Sequence, residues 1–456
     1  MRDDPPKYEV KPLRRPFDAT GDHAVRLPGS KSLTNRALLL AALAEGTTTL
    51  TGVLFADDTR RMMEALQTLG FQLDRDEAAA TVAVHGRGGT IPNHGQDVAL
   101  LLGNAGTATR FLTAACCLGE PGSSYVIDGI PRMRQRPIGE LVDLLRQLGA
   151  RIDYVAEDGF PPVRVHGGLA THQTTHRLRV GATLSSQYVS ALLQIAPCLP
   201  RGLELTFQGP VTSKPYVQMT ERMIDDFGGA KRLVSPTRYD IEPDASNASY
   251  FLAAASLIPD SRCEIAALPP DSVQGDANFH RVLGSVGVRV DAACCDHPLR
   301  VCAPRPLRLR GSTHDLGGMP DMAQTLAVVA MFAEGRTTIR HVGNLRVKET
   351  DRLAALENEL AKFGAKVTIT GDDLTIAPPQ ADCPPVVAVD TYDDHRMAMS
   401  FAVAGLASDR LPGKPWVIIN DPGCVAKTYP GFWADLRKSL GAEVVVPSER
   451  SEKAVP

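Results

Sequence analysis

The chain has 456 residues, too many for one ordinary domain and suited to two or three. Hydrophobic residues at 43% and charged residues at 22% fit a globular chain with a large core, while a net charge of −3 excludes a general polyanion-binding surface. No apolar run approaches the roughly 18 residues of a membrane span, and the opening Met-Arg-Asp-Asp-Pro-Pro-Lys lacks the apolar centre of a signal peptide. Residues 1–16, rich in Pro and charge, read as a loose arm. Beyond them the chain repeats itself. Six amphipathic helices each end at Gly and lead into an alternating strand: Glu64–Gly70, Leu141–Gly149, Gln218–Gly228, Phe279–Gly287, Leu353–Gly364 and Trp433–Gly441. The closing glycines stand 79, 79, 59, 77 and 77 residues apart, at the position expected just past a helix end. Pro137, Pro215 and Pro430 suit first-turn positions, and Asp58 suits an N-cap.

A second helix recurs with the same period and is apolar nearly all round: Ala37–Leu43, Phe111–Leu118, Val189–Ala196, Tyr250–Ile258, Thr325–Phe332 and Met397–Leu406. Helices of that kind are buried. Polar and charged residues precede each one, in Lys31–Arg36, Asn104–Arg110, Ser185–Gln187, Asp244–Asn247, Pro320–Asp321 and Asp393–Arg396. Helix N-termini carry partial positive charge. Two domains of three such units, facing each other, would line a cleft suited to a small polyanion.

The cations beside these starts are Lys31, Arg36, Arg110, Arg132, Arg134, Arg136, Lys348, Arg352, Arg396 and Lys427. Each alone reads as a surface charge. Together they recur in Gly-, Pro- and Ser/Thr/Asn-rich turns, as a site for several anionic groups would require. Gly103 and Gly106 let the backbone approach an anion, with Arg110 one turn into the helix. Asp321 suits an N-cap or a proton acceptor, and Glu349 an ion pair or a proton-transfer group. Lys348 and Arg352, four apart, are placed to share a helix face. His395 reads as a structural histidine. Neither a zinc spacing, nor a Gly-x-x-x-x-Gly-Lys-Ser/Thr loop, nor a Gly-x-Ser-x-Gly elbow occurs. The nine cysteines, among them the adjacent pairs Cys116–Cys117 and Cys294–Cys295, show no Cys-x-x-Cys spacing, so reduced thiols in a cytoplasmic protein are expected. Cys116, Cys117 and Cys198 lie in apolar runs and read as small core residues.

Eight stretches, in order, resemble motifs of the 5-enolpyruvylshikimate-3-phosphate (EPSP) synthase family: Leu27–Arg36, Gly103–Arg110, Pro131–Pro137, Ser185–Gln187, Ser213–Tyr216, Asn344–Arg352, Asp394–Arg396 and Ala426–Thr428. The resemblance implies an α/β fold of two domains, each of three βαβαββ-type repeats around buried parallel helices, an inside-out α/β barrel. It places residues 1–29 with 242–456 in one domain and 30–241 in the other, with the active site in the cleft between them. It implies transfer of the enolpyruvyl group of phosphoenolpyruvate to the 5-hydroxyl of shikimate 3-phosphate, with release of phosphate and no cofactor or metal. By resemblance, shikimate 3-phosphate is bound by Lys31, Ser32, Arg36, Ser185, Ser186, Gln187, Ser213, Tyr216, Asp321, Asn344 and Lys348. Phosphoenolpyruvate is bound by Lys31, Gly106, Arg132, Gln187, Arg352, Arg396 and Lys427. Asp321 accepts the hydroxyl proton, Glu349 donates to C3, and Lys31 touches both substrates.

The resemblance also implies a cytoplasmic monomer with small-molecule substrates, no nucleic-acid or membrane partner, and glyphosate as an inhibitor. Two features depart from the commoner pattern of the family. Phe111 stands where many members have Pro, and the N-terminal arm is longer than usual. Two other readings compete. UDP-N-acetylglucosamine enolpyruvyl transferases share the donor but use a mobile-loop cysteine, and a non-catalytic phosphate- or RNA-binding scaffold would not need acids among the cations.

Overall fold

A computed structural model describes residues 6–181, 185–209, 212–291, 299–303 and 306–445, so the Cys294–Cys295 pair lies outside the described residues. The chain divides into two compact units, Met1–Leu27 with Asp244–Pro456, and Pro28–Pro243. The second contains helices α1 (Lys31–Leu43), α2 (Asp57–Thr68), α3 (Gly106–Cys116), α4 (Gly139–Leu148), the single turn α5 (Leu169–His172), α6 (Ser186–Ile195) and α7 (Lys214–Asp226). The first contains α8 (Ala245–Leu257), α9 (Phe279–Ser285), α10 (Ala323–Ala330), α11 (Arg352–Lys362), α12 (His395–Leu406) and α13 (Phe432–Leu440).

The two kinds of helix separate as their patterns require. Every residue of α3, α10 and α12 is buried, and so is α1 from Leu33 onward. Within one unit α1, α3 and α6 pack on each other, and within the other α8, α10 and α12 do the same. Frequent Ala, Ser and Thr let these backbones approach closely. The hydroxyl of Thr325 on α10 meets those of Ser249 on α8 and Ser400 on α12 at 3.0 and 3.4 Å. A polar thread thus crosses the apolar centre with its partners supplied. The amphipathic helices α2, α4, α7, α9, α11 and α13 end near Gly70, Gly149, Gly228, Gly287, Gly364 and Gly441, all six left-handed with φ between +67° and +107°. A side chain is strained there, which is why Gly marks each helix end.

The strands complete a βαβαββ unit. Val98–Leu101 leads through α3 to Ser124–Asp128, its parallel neighbour, and through α4 to Ile152–Tyr154 and Val163–His166, which close the sheet antiparallel. Thr313–Asp315, α10, Thr337–Arg340, α11, Lys366–Thr370 and Asp373–Ala377 repeat that order in the other unit. Inward residues such as Leu374, Ile376, Val163 and Val165 are fully buried, each contributing about 1.5–3 kcal/mol by leaving water.

Three expectations are corrected. The N-terminal arm is not loose over its described length. Lys7–Val10 pairs antiparallel with both Trp416–Asn420 and Val444–Val445, and the Tyr8 ring meets Trp433 edge-on at 5.2 Å. Four residues of alternating pattern suffice when a sheet offers two open edges. Pro215 does occupy the first turn of α7, but Pro137 and Pro430 precede the N-caps Ile138 and Gly431 and lie outside their helices. Asp58 is inside the first turn of α2 rather than at its cap. The Thr59 hydroxyl takes over the turn's free groups, accepting from Ala56 N at 3.0 Å and donating to Leu54 O at 2.6 Å.

Candidate functional site

In the unit Pro28–Pro243 the candidate residues sit at helix starts. Ser30 caps α1, and Lys31 at its first position reaches Asp58 at 3.3 Å. Arg36, one turn further and beside the backbone of Ser32, is 2% exposed. It donates to Thr220 Oγ1 (2.7 Å), Ser32 O (3.0 Å), Ser190 Oγ (3.1 Å) and Tyr216 O (3.3 Å). No carboxylate lies within ion-pair distance of it among the described residues. Burial therefore pushes its guanidinium down to about 10, against a smaller upward pull from Tyr216. A buried cation surrounded by neutral oxygens is prepared for an anion that the fold does not supply.

Gly106 opens α3, following the strand Val98–Leu101 and the left-handed Gly103. A Cβ at Gly106 would stand 2.6 Å from Arg136 Nη2 and 2.9 Å from its Cζ. Arg136, 4% exposed, is fixed there by Nη1 bonds to the carbonyl and side-chain oxygen of Asn104, both 3.1 Å. Of its neighbours, Arg134 grips Asp128 with two bonds, and Arg132 lies 3.3 Å from Gln135 Oε1. Arg110 donates to Pro137 O at 2.7 Å, holding the Pro131–Pro137 loop on the helix. Ser185 caps α6, and Gln187 Nε2 meets Thr107 Oγ1 at 3.3 Å, tying the starts of α6 and α3 together. Buried Ser186 follows the cap. Ser213 precedes α7 with φ +55°, a conformation held against its preference, and its carbonyl accepts from Tyr216 N.

In the other unit one guanidinium organises the candidates. Arg352 opens α11, capped by Asp351, and is 1% exposed. Its Nη1 meets Asp321 at 2.9 Å, Nη2 meets Glu349 at 2.8 Å, and Nε meets Asp394 at 2.7 Å. Arg396 takes the other oxygen of Asp321, Oδ2, at 2.9 Å, and Lys348 Nζ lies 3.9 Å from Oδ1, the oxygen that Arg352 holds. Burial alone would raise the Asp321 carboxyl, but Arg396, Lys348 and Arg352 together hold it well below the carboxylate range. Asp394 is fully buried and serves twice, as the cap of α12 through Arg396 N (2.9 Å) and as the partner of Arg352. His395 Nδ1 lies 3.6 Å from the same carboxylate. Lys427 ends the turn Pro422–Lys427 and is buried, and Asn344 lies in the turn Gly343–Val347.

The structure thus brings Asp321, Lys348, Glu349, Arg352 and Arg396 onto one another, and joins Arg36 to Ser32 and Tyr216 and Gln187 to the start of α3. Two sequence readings change. Asp321 is not an N-cap: it lies in the turn Pro320–Met322 before α10, and its carboxylate faces arginines. Lys348 and Arg352 do not share a helix face, because Lys348 precedes α11; they converge on Asp321 from a loop and a helix start. Sequence reasoning missed Asp394, whose signal was an Asp directly before a buried helix. It also missed Asp276, buried at the turn Gly275–Asn278 and hydrogen-bonded by Ser246, in a stretch without periodic pattern.

The profile of the EPSP synthase (3-phosphoshikimate 1-carboxyvinyltransferase) family matches residues 20–436. The chain is 46% identical over 429 residues to the 3-phosphoshikimate 1-carboxyvinyltransferase of Laribacter hongkongensis, covering 91% of this chain and 96% of that protein. It is 42% identical to the chloroplastic enzyme of Petunia hybrida, covering 91% and 82%. A solved EPSP synthase from Acinetobacter baumannii shares the fold with a TM-score of 0.74 at 24% identity, covering 96% of this chain and 100% of that one. The enolpyruvyl transferase NikO from Streptomyces tendae does so at 0.68 and 19% identity, covering 97% and 99%.

Proposed function

The chain belongs to the EPSP synthase family and is a 3-phosphoshikimate 1-carboxyvinyltransferase of the shikimate pathway; on that premise we propose how its residues divide the reaction. Shikimate 3-phosphate and phosphoenolpyruvate are the substrates. The 5-hydroxyl oxygen bonds to C2 of phosphoenolpyruvate, C3 gains a proton, and the tetrahedral intermediate then expels phosphate and returns a proton from C3 to give the enol ether. Residues of both units serve this one reaction, in a cytoplasmic monomer.

The observation that carries the assignment is that Asp321 and Glu349 occupy the two Nη atoms of one guanidinium, Arg352, at 2.9 and 2.8 Å. Two carboxylates are thereby fixed side by side in ionic surroundings, as a pair of proton-transfer groups requires. Asp321 accepts the 5-hydroxyl proton and Glu349 serves C3. Arg352, Arg396, Lys427, Arg132 and Lys31 meet the phosphate and carboxylate of phosphoenolpyruvate, with Gly106 and Gln187 beside it. Arg36, Ser32, Ser185, Ser186, Gln187, Ser213, Tyr216, Asn344 and Lys348 hold shikimate 3-phosphate, together with Lys31 and Asp321. Arg36 supports this division best, because its buried charge lacks a carboxylate among the described residues.

Phosphate release tests the reading. With both substrates, Asp321→Ala and Lys31→Met should lose about 10²-fold or more in kcat while remaining folded at the assay temperature. Full turnover in either variant refutes the role assigned to it. UDP-N-acetylglucosamine in place of shikimate 3-phosphate should give no phosphate.

A further inference from the structure

Phe111, one turn into α3, has no exposed surface. Its ring faces Arg36 of α1, the guanidinium carbon 5.1 Å from the ring centroid. The remaining contacts of Arg36 are the neutral oxygens of Thr220, Ser190, Ser32 and Tyr216. An arginine has five N–H donors. Nε–H and both Nη2 hydrogens are engaged by these oxygens, as is one hydrogen of Nη1, and among the described residues the other Nη1 hydrogen is left for a ligand. The hydroxyls and carbonyls fix the edge of the guanidinium plane but leave its faces to packing. An aromatic face within about 6 Å both sets that plane and attracts the charge through the ring quadrupole, most strongly where water is excluded.

We propose that Phe111 is a positioning residue for shikimate 3-phosphate binding: its ring holds the Arg36 guanidinium in the plane that meets the substrate anion. The proposal rests on the assignment of Arg36 to shikimate 3-phosphate. It gives α3 two tasks, since the helix that begins at Gly106 also carries the ring that sets Arg36 on α1. The anion is then met by a fork already fixed by Thr220, Ser190 and Phe111, which lowers the ordering cost of binding.

The test replaces Phe111 with 4-fluoro-, 3,5-difluoro- and 3,4,5-trifluorophenylalanine in the full chain. Fluorination drains the ring quadrupole while keeping the shape of the ring. The KM for shikimate 3-phosphate should climb stepwise across the series, by at most the about 5- to 30-fold that a whole desolvated cation–π contact represents. The KM for phosphoenolpyruvate should stay level and kcat should change less than about two-fold, as loss of uniform binding requires, while the melting temperature should fall, because the contact with Arg36 is already made in the unliganded chain. A flat KM for shikimate 3-phosphate across the series, or an equal rise for both substrates, overturns the proposal. Arg36→Gln separates the two levels of the argument. If it leaves the KM for shikimate 3-phosphate unchanged, the assignment of Arg36 falls and the proposal with it. If it raises that KM while the fluorinated series stays flat, only the role of Phe111 falls.

Discussion

Gly106→Ala separates two reasons for a glycine at the start of α3. The new methyl would stand 2.6 Å from Arg136 Nη2, 2.9 Å from Cζ and 3.0 Å from Nη1, so the guanidinium must move. It cannot move freely, being 4% exposed and bonded through Nη1 to both oxygens of Asn104 at 3.1 Å. Hydrogen bonds to a charged group contribute about 1.5–3 kcal/mol each, and lengthening both forfeits on the order of 3 kcal/mol. The backbone at Gly106 is helical, so Ala returns about 1 kcal/mol of helix propensity. The net loss is about 2 kcal/mol, or roughly 4–8 °C in the melting temperature of a unit of about 200 residues. The assay is a double-mutant cycle with Arg136→Leu, read by thermal unfolding and by the KM for phosphoenolpyruvate. The stability penalty of Gly106→Ala should vanish in the Arg136→Leu background, while a KM penalty from crowding phosphoenolpyruvate should persist. An equal stability penalty in both backgrounds refutes the role of Arg136.

Asp394→Asn keeps an acceptor for Arg396 N but removes the charge facing Arg352 Nε. Because Asp321 and Glu349 still hold Arg352, the loss should fall near the lower end for a broken buried pair, about 3 kcal/mol, read from the urea midpoint. A midpoint equal to the parent's would discount the pair. Asp276 carries a pH signature. Burial, with Asp321 adding to it, raises its carboxyl from the ordinary 3.8 to about 6. The native chain then keeps a proton that the unfolded chain has lost, so stability falls as pH rises through that window and the loss is complete above it. Asp276→Asn, whose side-chain oxygen can still accept from Ser246, should therefore stabilise by on the order of 3 kcal/mol above about pH 7 and by little below about pH 4. A gain that does not depend on pH would contradict the assigned shift.

The repeats were legible because two local rules agree at each: a helix pattern of fixed kind, and a Gly where the chain must turn left-handed. Gly70 through Gly441 obey both, so six helix ends could be read without tertiary information. The strand Lys7–Val10 could not be read, since four residues beside Pro-rich flanks gain their order only from the sheet edges that receive them. Charge is legible in a sequence, but its partner is not. Among Arg132, Arg134 and Arg136 the spacing is the same, yet Asp128 takes one and the Asn104 turn takes another. The choice is made by the path of the loop across α3. Likewise Asp394 sits in a stretch that reads as an ordinary helix cap, and it is one, while its second task depends on Arg352, 42 residues earlier.

The candidate residues of the two units are prepared for anions in opposite ways. Arg36 has no carboxylate within ion-pair distance among the described residues, and the fold bears the cost of a buried, partly satisfied cation. Arg352, Arg396 and Lys348 instead face Asp321, Glu349 and Asp394, a cluster of three cations and three carboxylates that is close to neutral and cheaper to bury. This difference bears on catalysis. Asp321, held deeply ionised by Arg396, Lys348 and Arg352, is a weak base while those cations face it alone. On the proposed assignment, phosphoenolpyruvate brings a phosphate and a carboxylate to Arg352 and Arg396, and shikimate 3-phosphate approaches Lys348. Each new anion shares the field that depressed Asp321, and its proton affinity rises toward that of an ordinary carboxylate. The base is thereby strengthened with each substrate and is strongest when both are bound, which is when the 5-hydroxyl has a proton to give. A carboxylate without these cations would be a stronger base in the empty enzyme but would gain nothing on binding.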